Sequence, residues 1–467
     1  MLFTRNIGKK KKKKYKSSKI QSGDQRENYT DKKLNIDSIT KIKSVQDITN
    51  NKSDLTHRAS LIETNHKRNN TSFISSISTD FKFRKRSVVI KEEVEVMNFA
   101  KTIILSNPPK TQVNFDLGAE DSTFKYVEHK FSISDIPKDN VAIKTLYISN
   151  DPAQRGWIQQ NSDPKASYVT PVKKGTPVRC QAIAEIIGIG ENVTEYKVGD
   201  IVYTTGFWAD RIIINKKLIF NRINTANSNV PLYYYLSALG MTALTAYFGL
   251  TEVGNIEKGD TVIVTAASGA TGSMVVQLAK KVFGASKVIG ISGSDSKCRY
   301  VESIGADICL NYRDSDFNRQ LDLAVGSQTR EGGADILFDN VGGKLLDRCM
   351  RQLRIKGKVV ACGAIAGYND PEKYIVRNWP YIISRRLRIE GFLVFDYSKK
   401  FGEALNLLSN SLQNGKIKFS KDTEVIIFDC TGDKFKNIPK IWSKLFNDDK
   451  PSGKVLSLVN KFNNSKI

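Results

Sequence analysis

From Leu236 onward, apolar segments of strand length alternate with amphipathic segments of helix length. The strand-length segments include TVIVT at 261–265 and KVIGIS at 287–292, and helix-length segments such as SMVVQLAKKVF follow them. In this alternation each helix carries the chain back to the same edge of a sheet, so that the strands lie parallel. The sequence therefore predicts an α/β fold with a doubly wound parallel sheet of the Rossmann type at residues 226–398.

The chain before this point has a different pattern. Between residues 102 and 203, short β-favouring runs such as TIIL, VAIKTLYIS and DIVYTTGFW are separated by Pro, Gly and Asn. This spacing predicts a compact, antiparallel, β-rich domain at residues 97–225. The segment 399–467 contains one or two helix-like stretches and a last strand, KVLSLV, and we expect it to return to the β-rich domain.

Residues 1–96 are predicted to be a disordered basic extension. They contain 23 Lys and Arg against 11 Asp and Glu, which is half of the chain's net charge of +24. Their few large apolar residues cannot bury enough surface to offset the entropy cost of ordering the chain.

Three roles for this extension stay open. In the first, it is a solvated tail or the product of an upstream start, and Met97 opens the functional protein. In the second, Lys9 to Lys14 form a nuclear or nucleic-acid address, and in the third, Met1 to Arg5 form an organelle address. Binding of nucleic acid or an anionic surface is expected only through Lys9 to Lys14.

The cysteine and hydropathy patterns indicate in which cellular compartment the protein is expected. The six cysteines form no C-x-x-C pair, which is typical of free thiols in a reducing environment. No run approaches the roughly 20 apolar residues that a membrane-spanning helix needs. We therefore expect a cytoplasmic protein without a membrane span.

A loop of small residues follows the first strand of the predicted parallel sheet. The loop runs from Ala266 through Gly269, Ala270, Thr271 and Gly272. At this position of a Rossmann fold, small residues let the backbone approach a pyrophosphate at the N-terminus of the next helix. The pattern predicts dinucleotide binding, although a tight turn in an ordinary α/β protein stays open because the first glycine of the usual motif is replaced here by alanine.

The end of the second strand indicates which dinucleotide binds. An NAD enzyme places a carboxylate there on the ribose 2′-hydroxyl, whereas this strand ends in Ser292 and Gly293, with Lys297 and Arg299 close behind. Small polar residues and cations favour a 2′-phosphate, so we predict NADP(H). Asp295 lies close, and Lys297 as a solvated helix charge is the alternative.

The residues that would bind a catalytic zinc ion are missing from the pattern. Only three histidines exist, and His57 and His66 lie in the extension, which leaves His129 alone. Without Cys and His ligands for a Lewis acid, we predict no zinc and a hydride transfer that needs only positioning and a proton source. Reduction of a conjugated carbon–carbon double bond has these needs.

Six motifs, in order and spacing, resemble those of one enzyme family. The motifs are DPAQRGW, LSALGMTALTAYFGL, AASGATGS, FDNVGG, CGAIAGYN and RIEGFLVFDY. The chain from about Met97 onward resembles the zinc-free medium-chain dehydrogenases/reductases of the prostaglandin reductase and alkenal double-bond reductase branch. The resemblance implies a GroES-like substrate domain, a Rossmann domain, a homodimer, and NADPH-dependent reduction of the double bond of 2-alkenals or enones.

The same resemblance implies roles for individual residues. Lys297 and Tyr312 would bind the 2′-phosphate end, and Asn340 the ribose. Residues expected to line the nicotinamide are Cys362, Gly363, Ala364, Ile365, Tyr368, Phe392, Leu393 and Val394. Tyr397 is the expected catalytic residue, placed over the substrate carbonyl, with a tyrosine packed in an interdomain seam as the alternative.

The position of three further residues suggests substrate contacts. Phe207 and Trp208 are expected as apolar walls, although core positions are equally open, and Arg155 either touches substrate or holds its own turn together. The family asparagine before the C-terminal Gly-Lys pair is replaced by Pro451, which predicts weaker NADPH binding. A quinone reductase of the same fold and an inactive scaffold that binds polyanions are the alternative functions.

Overall fold

The computed structural model describes residues 98–160, 165, 167–225, 230–327, 329, 331–447 and 450–462. The extension at 1–96, with Lys9 to Lys14, lies outside the described residues, so its predicted disorder and addresses stay predictions. The described residues belong to one compact unit, which has two lobes. None of its described helices is both long enough and apolar enough to cross a membrane.

The β lobe begins with a hairpin of β1 (Asn98–Leu105) and β2 (Phe124–Phe131). Its main sheet contains the long strands β3 (Asn140–Asn150) and β4 (Arg179–Ile189), with the short helix α1 (Gln154–Trp157) between them. The shorter strands are β5 (Ile201–Phe207), β6 (Arg211–Asn215) and β7 (Ile219–Ile223). All pairings among β3 to β7 are antiparallel, as predicted.

The Rossmann lobe contains a six-stranded parallel sheet, which confirms the predicted doubly wound fold. Its strands are β8 (Thr261–Thr265), β9 (Lys287–Ser292), β10 (Ile308–Asn311), β11 (Ala334–Asp339), β12 (Leu353–Ala361) and β13 (Arg388–Gly391). The spatial order is β10-β9-β8-β11-β12-β13, the usual order of a dinucleotide-binding sheet. Such a sheet buries both faces, and Val262, Ile263 and Val264 of β8 are fully buried.

Helices connect these strands. They are α2 (Met241–Phe248), α3 (Ala270–Gln277), α4 (Asp295–Ser303), α5 (Phe317–Val325), α6 (Gly343–Met350) and α7 (Trp379–Arg385). Short π-helical turns at 249–253 and 278–282 extend α2 and α3. The segments that read as amphipathic in the sequence are therefore helical, and each returns the chain to the amino end of the next strand.

The C-terminal segment returns to the β lobe. It forms α8 (Phe401–Gln413), β14 (Val425–Asp429), α9 (Ile438–Ser443) and β15 (Lys454–Leu458). β15 pairs antiparallel with β3, but β14 pairs parallel with β15, so the complete seven-stranded sheet is mixed rather than purely antiparallel. A parallel pair needs a crossover, and the helical stretch at 432–443 supplies it.

Candidate active site

A cleft of about 1530 Å³ separates the two lobes at the carboxyl ends of the parallel strands. The segments that follow β8, β9, β11, β12 and β13 all contribute residues to its wall. Ligands of open α/β sheets bind at this edge, where the strand order reverses. We call the part beside β9 and β10 the nucleotide end, and the part that faces the β lobe the reaction end.

The glycine loop connects β8 to α3 by a close approach of the backbone. Ala266 has a φ of 47°, and the Gly269 N–H donates to the Ala266 carbonyl oxygen at 2.9 Å. A Cβ on Gly272 would lie 2.3 Å from that oxygen. Only glycine lets α3 begin so near the strand, and Gly269, Ala270, Thr271 and Gly272 all line the cleft. The unpaired N–H groups of the first turn suit an anion.

The nucleotide end combines cations with a buried hydroxyl. Ser292 is 2% exposed, and its Oγ has no hydrogen-bond partner among the described residues. Lys297 is 9% exposed and lines the cleft, so it is not a solvated helix charge. The Tyr312 ring packs over Gly293, where a Cβ would lie 3.0 Å from it, and the Arg313 guanidinium lies 5.7 Å from the Tyr312 ring centroid. These groups fit a phosphate monoester.

Two acids lie near this end. Asp295 accepts a hydrogen bond from the Asn311 side chain at 2.8 Å, and it does not belong to the cleft-lining residues in the described part of the chain. Asp314, in contrast, lines the cleft together with Arg313. The preference for a 2′-phosphate therefore rests on the cations Lys297 and Arg313 and not on the absence of a carboxylate.

Asn340 is held by a buried network at the end of β11. Its amide nitrogen donates to the Thr265 carbonyl oxygen at 2.8 Å, and the Thr265 hydroxyl donates to Asp339 at 2.7 Å. Burial raises the pKa of Asp339, and the Gly342 N–H also donates to its carboxyl group at 2.8 Å. The network fixes the Asn340 side chain with its nitrogen toward β8, which leaves the amide oxygen for a ligand.

The loop after β12 forms the wall between the two ends. Cys362, Gly363, Ile365 and Tyr368 line the cleft, whereas Ala364 lies against Gly342 and is not among the lining residues that the structure describes. Burial raises the pKa of the Cys362 thiol to about 12. The pKa of Tyr368 is also raised to about 12, mainly by burial. Both groups are therefore neutral near pH 7.

Aromatic and aliphatic side chains from both lobes surround the reaction end. They are Trp157, Tyr168, Tyr368, Ile375, Phe392, Leu393, Val394 and Phe446. Such walls suit a lipophilic molecule with few polar groups, and Tyr168 and Ile375 are 50% and 49% exposed before a ligand covers them. The predicted stretch Phe392 to Val394 belongs to this wall, at the carboxyl end of β13.

Tyr168 presents a free phenolic proton at the reaction end. The Trp157 indole N–H donates to the Tyr168 oxygen at 3.2 Å. An indole N–H only donates, so this bond leaves the Tyr168 O–H available to another acceptor. Burial raises the pKa of Tyr168, which keeps the phenol protonated at neutral pH.

The floor of the reaction end is polar. Lys454, which is 2% exposed, forms an ion pair with Asp151 just beyond β3. Asn150 is also 2% exposed, and its Nδ2 donates to Ser457 Oγ at 3.0 Å. All these residues except Ser457 line the cleft. The ion pair links β15 to the turn before α1, and removal of either partner would leave a buried charge unpaired.

Family models and similar proteins agree with this geometry. A model described as the N-terminal domain of oxidoreductase matches residues 102–221, and one described as zinc-binding dehydrogenase matches 270–410. The "2-alkenal reductase (NADP(+)-dependent)" of Nicotiana tabacum is 34% identical over 303 residues, 65% of this chain and 84% of its own length. The "Uncharacterized membrane protein YML131W" of Saccharomyces cerevisiae is 33% identical over 373 residues, 78% and 99% of the two chains.

The chain belongs to the medium-chain dehydrogenase/reductase superfamily, in its branch of NADP-dependent double-bond reductases. This confirms the resemblance drawn from the motifs. The solved structure of CurA from Vibrio vulnificus in complex with NADPH has a TM-score of 0.63 and 27% identity, covering 78% of this chain and 100% of that one.

Two residues expected at the substrate lie in other parts of this reductase. Trp208 is fully buried in an aromatic cluster, with its ring 5.1 Å from Phe124 and 5.8 Å from Trp442. Phe207 packs on the cluster that contains Val202 and Ile214. Neither belongs to the cleft wall in the described residues. Because neighbouring residues of a strand point to opposite faces, Trp208 and Phe207 lie in two different cores of the β lobe. Core positions were the alternative stated in the sequence analysis.

Arg155 holds cleft segments together rather than facing the cleft. Its Nε donates to Asn369 Oδ1 at 2.7 Å and one terminal nitrogen donates to the Thr111 carbonyl oxygen at 2.5 Å. The side chain is fully buried and also donates to Gln159. Burial lowers the pKa of Arg155 to about 10, so it remains cationic at neutral pH. Because Asn369 follows β12, this bond joins the two lobes.

Tyr397, the expected catalytic residue, lies behind the cleft wall. Its ring stacks on Phe248 with centroids 5.0 Å apart and planes 15° from parallel, and it lies 6.5 Å from the Phe392 ring. It is not among the described cleft-lining residues. The stacked position favours the packed-seam interpretation over a contact with the substrate carbonyl.

Pro451 lies where the family places an asparagine, and the surrounding loop crosses the glycine loop. The Gly453 N–H donates to the Ser268 carbonyl oxygen at 2.7 Å, and Pro451 lines the cleft. Proline has no N–H and no side-chain amide, so it offers no donor to a dinucleotide. The backbone contact to Ser268 nevertheless keeps the loop in place.

In the described part of the chain, no cluster of three or more His, Cys, Asp or Glu side chains could hold a metal ion. His129 lies on β2, paired in register with Ala100, and burial lowers its pKa. Although one family model carries zinc in its description, residues 270–410 contain no histidine.

Several cleft residues were not predicted from the sequence. Tyr168 has no local signal, because its position depends on how the long connection between α1 and β4 folds. Asn150 and Asp151 follow an apolar strand directly, and polar residues at that point of a strand are a signal that could have been used. Lys454 reads as a surface lysine until the register of β15 places it inside.

Proposed function

We propose that this protein reduces the carbon–carbon double bond of α,β-unsaturated aldehydes and ketones with NADPH and without zinc. The observation that carries the proposal is the reaction end of the cleft, where a protonated phenol, Tyr168, stands in an apolar aromatic wall. The tobacco relative with 34% identity is named for the reduction of 2-alkenals. An apolar site with one placed donor suits a lipophilic molecule with a single carbonyl oxygen.

The described residues offer a place for each part of NADPH. The first turn of α3, at Gly269 to Gly272, suits the pyrophosphate, and Ser292, Lys297 and Tyr312 suit the 2′-phosphate. Asn340 presents an acceptor for a ribose hydroxyl. The nicotinamide would lie between the segments 362–368 and 392–394. Bound NADPH is the hydride donor of the proposed reaction, and the hydride goes to the β-carbon of the substrate.

In this proposal, Tyr168 has the role that the family resemblance implied for Tyr397. Addition of hydride at the β-carbon moves the electrons of the double bond to the carbonyl oxygen and forms an enolate. The Tyr168 O–H donates to that oxygen, where negative charge develops. The Trp157 N–H orients the phenol. Water then protonates the α-carbon and completes the saturated carbonyl product.

The proposal is tested with the full-length protein and NADPH in the presence of a medium-chain enone, a quinone, or a simple alcohol with NADP⁺. We expect NADPH consumption with the enone, appearance of the saturated carbonyl compound, and no reaction of the alcohol. Removal of one oxyanion donor lowers turnover by about 100- to 1000-fold in well-studied enzymes, and a smaller loss is expected at Tyr168, which is 50% exposed. Tyr168→Phe should therefore lower kcat by about 10- to 100-fold.

Tyr397→Phe is the matched control for this substitution. It also removes one phenolic hydroxyl, but from a ring that stacks on Phe248 behind the wall. We expect kcat within about twofold of the native value, since no transition-state contact is lost. Equal losses in both variants would contradict the role of Tyr168. Reduction of the quinone alone would move the protein to the alternative quinone reductase, and NADPH binding without turnover would favour the inactive scaffold.

We also propose that the protein is a homodimer through the edge of the Rossmann sheet. β13 is the last strand of that sheet, so one of its edges is unpaired in the described chain. Ile389 on this strand is 42% exposed, and the nearby Trp379 and Ile383 are 64% and 71% exposed. An unpaired edge with apolar neighbours is a template for a second copy. Ile389→Lys should convert a dimer to a monomer in sedimentation equilibrium.

A further inference from the structure

The carboxamide of Asn150 is incompletely hydrogen-bonded at the floor of the cleft. The residue ends β3, is 2% exposed and lines the cleft. Its Oδ1 is fully buried and has no hydrogen-bond partner among the described residues. Burial of a polar atom without a partner is costly, and native proteins keep few such atoms. A hydrogen-bond donor on a bound ligand would therefore satisfy this oxygen.

Neighbouring residues fix which end of the amide is unpaired. The Asn150 Nδ2 donates to Ser457 Oγ at 3.0 Å. In this bond the Ser457 oxygen is the acceptor. The bond orients the nitrogen of Asn150 toward β15 and leaves its oxygen as the free end.

The surroundings of Asn150 hold the amide in place. Asp151, the next residue, pairs with the buried Lys454, and its carbonyl oxygen accepts a hydrogen bond from the Trp442 indole N–H at 2.9 Å. Asp151, the residue after Asn150, is thus fixed to both β15 and α9. A fixed acceptor binds a ligand donor without losing conformational freedom, which favours recognition.

We propose that the Asn150 oxygen accepts a hydrogen bond from an N–H or O–H group of the molecule bound at the reaction end. Two sources have this chemistry: the carboxamide N–H₂ of the nicotinamide, and a hydroxyl group on the substrate. The second source rests on the proposed function, whereas the first requires only that the cleft binds NADPH. Asn150 is a positioning residue in either case, since it takes no part in bond formation.

The test compares Asn150→Leu with Ser457→Ala. Both variants lose the bond between Asn150 and Ser457, but only N150L loses the free oxygen. NADPH affinity is measured by fluorescence without substrate, and KM is measured with 2-octenal and with 4-hydroxy-2-octenal. Asn150→Val replaces N150L if the leucine variant does not fold, as judged by thermal unfolding of the NADPH-free protein.

A nicotinamide donor predicts that N150L weakens NADPH binding by about five- to tenfold, since one hydrogen bond is lost, while S457A changes it by less than about twofold. A substrate donor predicts unchanged NADPH affinity and a KM about five- to tenfold higher for the hydroxylated aldehyde alone. Equal behaviour of the two variants in both assays overturns the proposal and leaves a buried water as the partner. If the native protein binds NADPH but reduces neither aldehyde, the proposed function fails, and the NADPH arm still decides the role of Asn150.

Discussion

Lys297 carries a positive charge at the nucleotide end while only 9% of its surface is exposed. A cation in that position favours NADPH over NADH, because only NADPH has a 2′-phosphate. Hydrogen bonds to charged groups contribute about 1.5–3 kcal/mol, or roughly 10- to 150-fold in affinity. Lys297→Ala should weaken NADPH binding within this range and leave NADH binding unchanged, as measured by titration of each cofactor.

The control for Lys297→Ala removes a cation elsewhere on the Rossmann lobe. Arg319 on α5 is exposed and pairs with Asp316, the N-cap residue of that helix. Arg319→Ala lowers the net charge by the same amount without touching the cleft, so NADPH binding should stay within about twofold at moderate salt. A parallel loss of NADPH and NADH affinity in Lys297→Ala would contradict its assignment to the 2′-phosphate.

Cys362 is a thiol in the wall of a cleft that is proposed to take thiol-reactive aldehydes. Burial raises the pKa of Cys362 to about 12, so the neutral thiol dominates at pH 7 and the reactive thiolate is scarce. Alkylation of Cys362 by iodoacetamide, followed by mass spectrometry of its peptide, should be slow at pH 7. The rate should rise about tenfold per pH unit up to pH 9, since the thiolate fraction does.

The outcome that contradicts this assignment is a rate that levels off below pH 9. A plateau there would mean an ordinary thiol pKa. NADPH should slow the reaction further if the cofactor covers the thiol, and Cys362→Ser should remove the labelled peptide.

At the residue scale, the sequence predicted the positions where the backbone conformation restricts the residue type. The glycine loop was predicted because only small residues can occupy a turn as tight as the one at Gly272. Tyr397 was assigned to the site from the family resemblance and Trp208 from its position, but side-chain direction depends on packing partners that are far away in sequence, such as Phe248 and Trp442. Ionic partners such as Lys454 and Asp151 are 303 residues apart, and no local pattern connects them.

The strand–loop–helix element formed by β8 and α3 depends on one glycine. A Cβ at position 272 would lie 2.3 Å from the Ala266 carbonyl oxygen and 2.8 Å from the Ala267 Cα. Both atoms belong to the backbone and cannot move aside without displacing the helix. Gly272→Ala should lower the free energy of unfolding by about 2–4 kcal/mol and abolish NADPH binding, as measured by urea unfolding and cofactor titration.

Ala266→Gly in the same loop is the opposite change. Ala266 has a φ of 47°, a left-handed conformation that costs an L-residue about 1 kcal/mol relative to glycine. Glycine removes that strain but adds freedom to the unfolded chain, so the free energy of unfolding should change by no more than about 1 kcal/mol. Loss of stability comparable to that of Gly272→Ala would show that the tight approach is not the reason glycine is needed.

At the element scale, the strands and helices of the Rossmann lobe followed from hydrophobic periodicity, because the central strands β8, β9 and β11 are buried on both faces, whereas the edge strand β13 is mostly exposed. Strand β14 was not predicted, and its parallel pairing with β15 makes the sheet mixed. The sequence VIIFD of β14 contains no turn residue that would predict the crossover between the parallel strands β14 and β15. Pairing partners depend on tertiary packing, which local propensity does not describe.

At the scale of the molecule, Arg155 connects the two lobes through Asn369 and binds Thr111 within the β lobe. Arg155→Met keeps much of the apolar stem but leaves buried acceptors without a donor. We expect a loss of about 2–4 kcal/mol in the free energy of unfolding and a higher KM for the enone, because the reaction end is no longer held at one width. Urea unfolding and steady-state kinetics measure the two effects.

Arg179→Met separates these two effects. Arg179 donates to the Thr170 carbonyl oxygen at 3.0 Å, a contact within the β lobe. Its replacement should cost about 1 kcal/mol or less in stability and leave KM unchanged. A KM that does not rise in Arg155→Met would mean that the bond to Asn369 supports folding alone.

The hydrogen bond between the Gly453 N–H and the Ser268 carbonyl oxygen also affects when the cofactor site can form during synthesis. The ribosome delivers residue 268 long before residue 453, and β15, which fills the sheet position beside β3, follows all the other described strands. Until β15 has been made, β3 has an open edge that other chains can pair with. Nascent chains that have not reached residue 453 therefore lack part of the cofactor site, and they should bind chaperones rather than NADPH.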